Sequence, residues 1–266
     1  MSMMINAPVH TISADNAFPR LAEQGSTGQR VNSAADDAAG SAIAGRLTTQ
    51  FDGLTMAARN IGDGLSMLRT RSGMAGGLVE QVQRMRELSI QANSSILSPQ
   101  DRIALNQEFV GLRETVVQQL NSSEFNGQPL FRKAPESLQT GPNAGDTTVI
   151  EGNDLAAALD SLDFGSLSLS EAGSLGALME SLDGVLDALV DSQVKDGASA
   201  NRLMSQADNI AQSRIDSAQS RSRIEDTDFA ALASELAKAA TRDQAQVLVQ
   251  SQANAGREDV LRLLTS

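Results

Sequence analysis

The chain has no cysteine, tryptophan or tyrosine, and its single histidine is His10. Without thiols there is no disulfide frame, thiol nucleophile or cysteine-based zinc site, and one imidazole cannot build a multi-histidine metal site. Aromatic residues make up 3% of the 266, all of them phenylalanine. Small-molecule pockets lean on aromatic walls, and nucleic-acid surfaces need rings for bases to stack on, so both classes are disfavoured. Positive charge is short as well. Lys and Arg number 21 against 33 Asp and Glu, and the net charge of −12 is repelled by phosphate. No apolar run approaches the roughly 18 residues that span a bilayer, so no membrane insertion is expected. The first ten residues lack a basic region, a long apolar core and a small-residue cleavage site, so no ordinary secretion signal is expected there.

The acidity is concentrated. Eleven acidic residues and one basic one, Lys195, lie between Asp146 and Asp196. The remainder is close to balanced, with arginine far commoner than lysine. This is the pattern of a near-neutral frame carrying a solvated acidic insert.

What the chain does have is helical periodicity. From Asp36 to about Asn93, Leu47, Leu54, Ile61, Leu68, Ala75 and Val82 recur every seven residues, and Phe51, Ala58, Leu65, Ser72 and Val79 form a second row four residues on. Two interleaved seven-step rows predict a coiled-coil seam. Fifty-odd residues at 1.5 Å each give a rod of about 85 Å. Glycines at 62, 64, 73, 76 and 77 each weaken such a helix by about 1 kcal/mol and let a neighbouring backbone come close. They lack the following Lys-Ser/Thr pair that a phosphate-binding loop requires.

Helix ends are marked too. Ser33 to Asp36 has capping-box spacing, and this reading fits the adjacent Asp36 and Asp37 better than a metal or acid–base pair, because neighbours in sequence do not share a helix face. Ser98-Pro99-Gln100-Asp101 opens a second helix, with Leu105, Phe109, Leu112, Val116 and Leu120 along one face, after a turn that makes an αα-hairpin. Phe125 to Pro129 and Gly141 to Asp146 read as turns, the second between strand segments 137–140 and 147–151. Residues 152–173 show no clear pattern. A third long helix is expected from Leu175 to Arg223, where Leu175, Leu182, Leu189, Leu203 and Ile210 keep the seven-step and Asp196 interrupts it once. A last helix runs from Thr227 to about Asn254, with Leu232, Leu236, Ala240, Val247 and Ser251 on one face and a stop at Gly256. The apolar ending, Val260-Leu261-Arg262-Leu263-Leu264, calls for a cover, most simply a second copy.

Two sets of strings resemble bacterial flagellin. The first is Arg30-Val31-Asn32-Ser33-Ala34, Asp36-Asp37-Ala38-Ala39-Gly40, Gly53-Leu54, Ala58-Arg59-Asn60, Asp63-Gly64, the run from Gln83 to Leu88, and Phe125-Asn126-Gly127. The second is Gly197-Ala198, Asn201-Arg202-Leu203, Ser222 to Ala230 with Ile224-Glu225-Asp226 at its centre, Gln252-Ala253-Asn254 and the apolar ending.

The resemblance implies a mainly α fold: an elongated coiled-coil rod of long helices with a small β-hairpin region, its chain termini pairing as helices. It divides the chain into an inner N-terminal segment 1–29, a rod domain 30–225 (helices 36–93, 99–121 and 175–223, hairpin and loops 125–174) and an inner C-terminal helix 226–266. The interval 152–174 is too short for the outer domains of larger relatives, so this is a short form. Pro8 and Pro19 make residues 1–29 an expected departure, since proline inside a helix costs about 3 kcal/mol.

The function implied is a structural subunit of the flagellar filament, not an enzyme, with no cofactor and no metal. Its implied partners are identical subunits, the export apparatus and an export chaperone, and hook-associated junction and cap proteins. Its implied place is extracellular, reached without a cleaved signal. Some members engage a Toll-like innate receptor, and Arg84, Leu88 and Glu108 match that patch, with packing against neighbouring subunits as the simpler role. A hook–filament junction protein is the alternative, suggested by Ser26-Thr27-Gly28. The sequons at Asn93 and Asn121 follow from a Ser- and Asn-rich composition.

Overall fold

The computed structural model describes residues 17–169 and 175–265. In order these are α1 (Ala17–Thr27), α2 (Ala38–Ala92), α3 (Pro99–Ser122), β1 (Glu124–Phe125), β2 (Gln128–Pro129), β3 (Glu136–Gln139), β4 (Thr147–Ile150), α4 (Leu155–Ser161), a 3-10 turn (Phe164–Ser166), α5 (Leu175–Glu225) and α6 (Phe229–Thr265). The chain packs as two compact units, one of residues 50–216 and one of residues up to 49 with those from 217.

In the 50–216 unit the core is the seam of α2 against α5 and α3. Leu54, Ile61, Leu68, Ala75 and Val82 are all buried, so the first seven-step row stands within this unit, whereas Leu47, its first member, is only half-buried. The second row needs correction. Phe51, Ala58, Leu65, Ser72 and Val79 are only half-buried, whereas Ala57, Gly64, Arg71, Leu78, Met85 and Ala92, three residues after the first row, are all buried. Glycine and arginine within that row conceal it from any hydropathy count.

Asp196 is corrected in the same way. It does not interrupt the seam of α5 but lies on it, in a buried row with Leu182, Leu189, Leu203, Ile210 and Ser217. Its carboxylate accepts from Nε of Arg71 at 2.9 Å and also from Nη2. The two charges that break the apolar pattern of their own helices are therefore partners, and α2 and α5 run antiparallel: Arg86 pairs with Asp183 at 2.8 Å, and Gly64 faces Leu203.

α3 buries Phe109, Val116 and Leu120, with Leu105 and Leu112 packed against the core. Its capping box forms as read: Ser98 Oγ accepts from the Asp101 amide, and Asp101 accepts from the Ser98 amide at 3.0 Å. The strand segments pair as β3 and β4, Glu136 opposite Ile150 through Gln139 opposite Thr147. The Phe125–Pro129 turn is a hairpin of its own, with Asn126 and Gly127 both at positive φ, 52° and 74°, the conformation for which Asn-Gly is the preferred pair.

The β3–β4 hairpin lies across both long helices. Asn60 Nδ2 donates to Gln139 O at 3.0 Å, Arg202 donates to Val149 O at 2.7 Å, and Thr148 Oγ1 donates to Gln206 at 2.8 Å. The patternless stretch from 152 holds α4 and the 3-10 turn, whose Leu155, Leu159 and Phe164 are fully buried. Seven helical residues are too few to show a period. Asn106 and Arg113 of α3 bind the segment after them, at Leu169 N and Leu167 O.

In the other unit α1 packs along α6. Pro19 is the third residue of α1, in the first turn, where the missing amide leaves no bond of the helix unmade. Pro8 and His10 lie outside the described residues. α2 begins at Ala38, two residues later than expected, because Asp37 is its cap: Oδ1 accepts the Gly40 amide at 2.8 Å. Ser33 and Asp36 instead close the preceding turn, where one Asp36 oxygen accepts from the amides of Asn32 and Ser33 and from Ser33 Oγ.

α6 begins at Phe229 under an Asp228 cap that accepts from Ala230 and Ala231. It also continues through Gly256 to Thr265, so the expected stop is corrected. A lone glycine costs about 1 kcal/mol, too little to end a helix of 37 residues. The side chains of the apolar ending 260–264 lie outside those described.

Candidate assembly surface

The linker Gly28–Asp37 runs beside the end of α5, Ile224 and Glu225, and the linker Asp226–Asp228 that follows it. Thr227 N donates to Gly28 O at 3.0 Å, Arg30 N donates to Glu225 O at 2.5 Å, and Gln29 bridges Asp226. The Arg30 guanidinium donates to Ile224 O at 2.5 Å, satisfying a carbonyl that the end of α5 leaves free, and lies 3.9 Å from Asp37. A cation suits that end of a helix. Gln24 Nε2 reaches Arg30 O, and Asn32 Nδ2 reaches Gln29 O.

So the structure gathers Arg30, Asn32, Asp36, Asp37, Gly40, Ile224, Glu225 and Asp226 into one paired-linker cluster, although the two groups stand nearly 200 residues apart. Each is explained by a backbone bond or a cap. Asp36 is held below its ordinary carboxylate range, first by the Ser33 hydroxyl and then by the Ser33 amide. Asn201 and Arg202 are not in this cluster. They belong to the other unit, where Arg202 holds the β3–β4 hairpin and Asn201 is exposed.

Arg84, Leu88 and Glu108 are split by burial. Arg84 donates to Glu108 through Nε and Nη2 at 3.2 and 3.0 Å and to Glu87 at 3.0 Å, all at the surface. Leu88, one turn along, is 0% exposed and belongs to the core. The polar pair is presented to solvent; the leucine is not.

The most open surface is α6. Leu232 is buried and Leu236 half-buried, but every residue from Ala240 to Gly256 is exposed. Among them are Val247, Leu248 and Val249, each 65% exposed or more. Three consecutive aliphatic side chains point to more than one side of a helix, so a single partner would leave some of them wet. Among the described residues no group of three or more His, Cys, Asp or Glu side chains is placed to hold a metal. No described helix is long and apolar enough to cross a membrane. Sequence reading missed Arg71, because it looked like a solvent-facing charge, and the only signal that could have found it was its exact seven-residue spacing from Gly64 and Leu78.

Long capped helices, polar signatures that join two chain-end segments, and a last helix with bare aliphatic residues define a helical structural subunit. The description "Bacterial flagellin N-terminal helical region" matches residues 3–135, and "Bacterial flagellin C-terminal helical region" matches residues 179–264. The chain belongs to the bacterial flagellin family, as a short-form structural subunit of the flagellar filament.

Relatives bear this out. The chain is 31% identical to a flagellin of Halalkalibacterium halodurans over 94% of its own length and 92% of that protein's. It is 27% identical to a flagellin of Listeria innocua over 92% and 91%. Against Flagellin E of Vibrio cholerae it is 35% identical over 63% of its length but spans only 46% of that longer chain. Its fold is similar to the crystal structure of Bacillus cereus flagellin (TM-score 0.52, 23% identity, 57% of this chain and 88% of that one). It is also similar to a putative flagellar hook-associated protein of Vibrio parahaemolyticus (TM-score 0.61, 14% identity, 72% and 100%). At such identities both likenesses concern the fold alone.

Proposed function

We propose that the chain polymerises by covering the bare faces of α6 with identical neighbours, repeated along an open helical lattice whose contacts do not close. The observation that carries this is the run of exposure from Ala240 to Gly256, with Val247, Leu248 and Val249 inside it. Burying a Val or Leu side chain contributes roughly 1.5–3 kcal/mol, so the three together are a sizeable drive per subunit. On this reading residues 1–29 and 226–266 form the inner part of the filament and 30–225 the rod around it.

The subunit leaves the cell through the flagellar export channel with its N-terminus intact, and its place is the extracellular filament. Its partners are then an export chaperone, the export apparatus, the hook-associated junction proteins and the cap. It catalyses nothing; its work is mechanical. A Toll-like receptor reading the Arg84 patch would touch Arg84 and Glu108, with Leu88 beneath them as support. The acidic residues Glu180, Asp187 and Asp191 are exposed on α5 and keep that face hydrated.

Negative-stain electron microscopy of the purified chain after addition of precipitant salt tests the proposal. Filaments that lengthen without a fixed endpoint are expected. A discrete species at every salt concentration would reject it.

A further inference from the structure

Two charges sit on a seam where neither helix needs one. Arg71 is 4% exposed and Asp196 is 1% exposed. Around them the two helices repeat themselves. On α2, Leu54, Ile61, Leu68, Ala75 and Val82 recur at the seven-step, and on α5, Leu182, Leu189, Leu203 and Ile210 do the same. Rows with that period have a built-in ambiguity. Sliding one helix past the other by seven residues, about 10 Å, sets apolar side chains against apolar side chains again.

The charged pair is what such a slip disrupts. Moved by one step, Arg71 stands level with Leu189 or Leu203, and Asp196 level with Gly64 or Leu78. Each charge is then buried without its partner, a far worse state than burial with it. Replacing a buried ion pair with apolar side chains of similar volume is, by contrast, often neutral or stabilising. Stability alone does not explain the pair. A single polar position on an apolar seam is the established way for coiled coils to fix register.

We propose that Arg71 and Asp196 form a register key, which selects one stagger of α2 against α5 from the heptad-shifted alternatives as the chain folds. The helix side chains that make the other described polar ties, Arg86 to Asp183, Arg221 to Thr48, and Asn60, Arg202 and Gln206 to the β3–β4 hairpin, are exposed or half-buried, where water replaces a lost bond.

Because the chain has no cysteine, two labels can be placed at will. Spin labels at Glu80→Cys and Asp208→Cys, both exposed, report the stagger by pulsed dipolar spectroscopy of the full chain, kept below the concentration at which it polymerises. The parent is expected to give one distance. The double variant Arg71→Leu, Asp196→Leu is expected to fold, to melt at the parental temperature or above, and to add a second distance displaced by about 10 Å. If that variant gives only the parental distance, packing and the hairpin fix the register and the inference fails. If it does not fold, the pair serves stability rather than register, and the inference fails as well.

Discussion

The amide of Thr227 donates to the carbonyl of Gly28 at 3.0 Å, and two residues along, the Arg30 amide returns a bond to Glu225 at 2.5 Å. These reciprocal bonds tie the segment that leaves α1 to the segment that leaves α5. The Arg30 guanidinium, on Ile224 O, caps the end of α5 from the opposite linker. Arg30→Ala should therefore loosen the linkers locally. With Arg30 half exposed the loss is about 1 kcal/mol, and the Thr227 amide should exchange with solvent roughly fivefold faster, measured by hydrogen exchange.

Glycines in α2 should answer alanine in opposite ways. A Cβ on Gly73 meets nothing within 4 Å, so Gly73→Ala should stabilise the chain by about 0.5–1 kcal/mol. A Cβ on Gly53 would lie 2.9 Å from the Pro142 ring and 3.1 Å from its Cα, atoms that cannot rotate away. Overpacking of that kind costs about 1–3 kcal/mol, more than the helix gains, so Gly53→Ala should lower the thermal midpoint while Gly73→Ala raises it. Paired thermal melts decide.

Leu88 and Arg84 separate core from surface. Leu88→Ala removes a fully buried side chain and should cost about 2–5 kcal/mol in denaturant unfolding. Arg84→Ala, with exposed partners, should cost less than about 1 kcal/mol. A loss of receptor signal in the Arg84 variant would then report contact, whereas in the Leu88 variant it would report a damaged core.

How much of this was legible beforehand follows from the residues. Rows such as Leu54 to Val82 declare themselves because every member is apolar or small. The neighbouring row did not, because Gly64 gives up its side chain to let Leu138 and Leu203 approach, and Arg71 carries its charge inward. Capping spacing at Ser98 fixed the start of α3 correctly. At Ser33 the same spacing closes a turn, and Asp37 takes over the cap one residue beyond. The short α4 has no period to read. The site's signature strings were readable, but their meeting was not, since hydrogen bonds between segments nearly 200 residues apart leave no local trace.

Acid should loosen the Ser33 turn and the Ser98 cap. Asp36 and Asp101 are both held below the ordinary carboxylate value of 3.8, chiefly by the hydroxyls of Ser33 and Ser98. A carboxylate with a lowered native pKa contributes stability that is fully present above the unfolded value and is lost as pH falls through the native one. The difference in unfolding midpoint between the parent and Asp101→Asn should thus be constant from neutral pH down to about 4–5 and shrink below that, seen by denaturant titration at stepped pH.

On the proposal that copies meet along the open length of α6, charges placed there should block growth. Val247 and Leu248 are 69% exposed in the single chain, so Val247→Glu with Leu248→Glu should leave the thermal melt of the monomer unchanged. Salt-induced growth, followed by light scattering and negative-stain electron microscopy, should be abolished because two buried charges would be required at every repeat. Filaments that form at the parental rate from this variant would contradict the account and place the assembly contacts elsewhere on the chain.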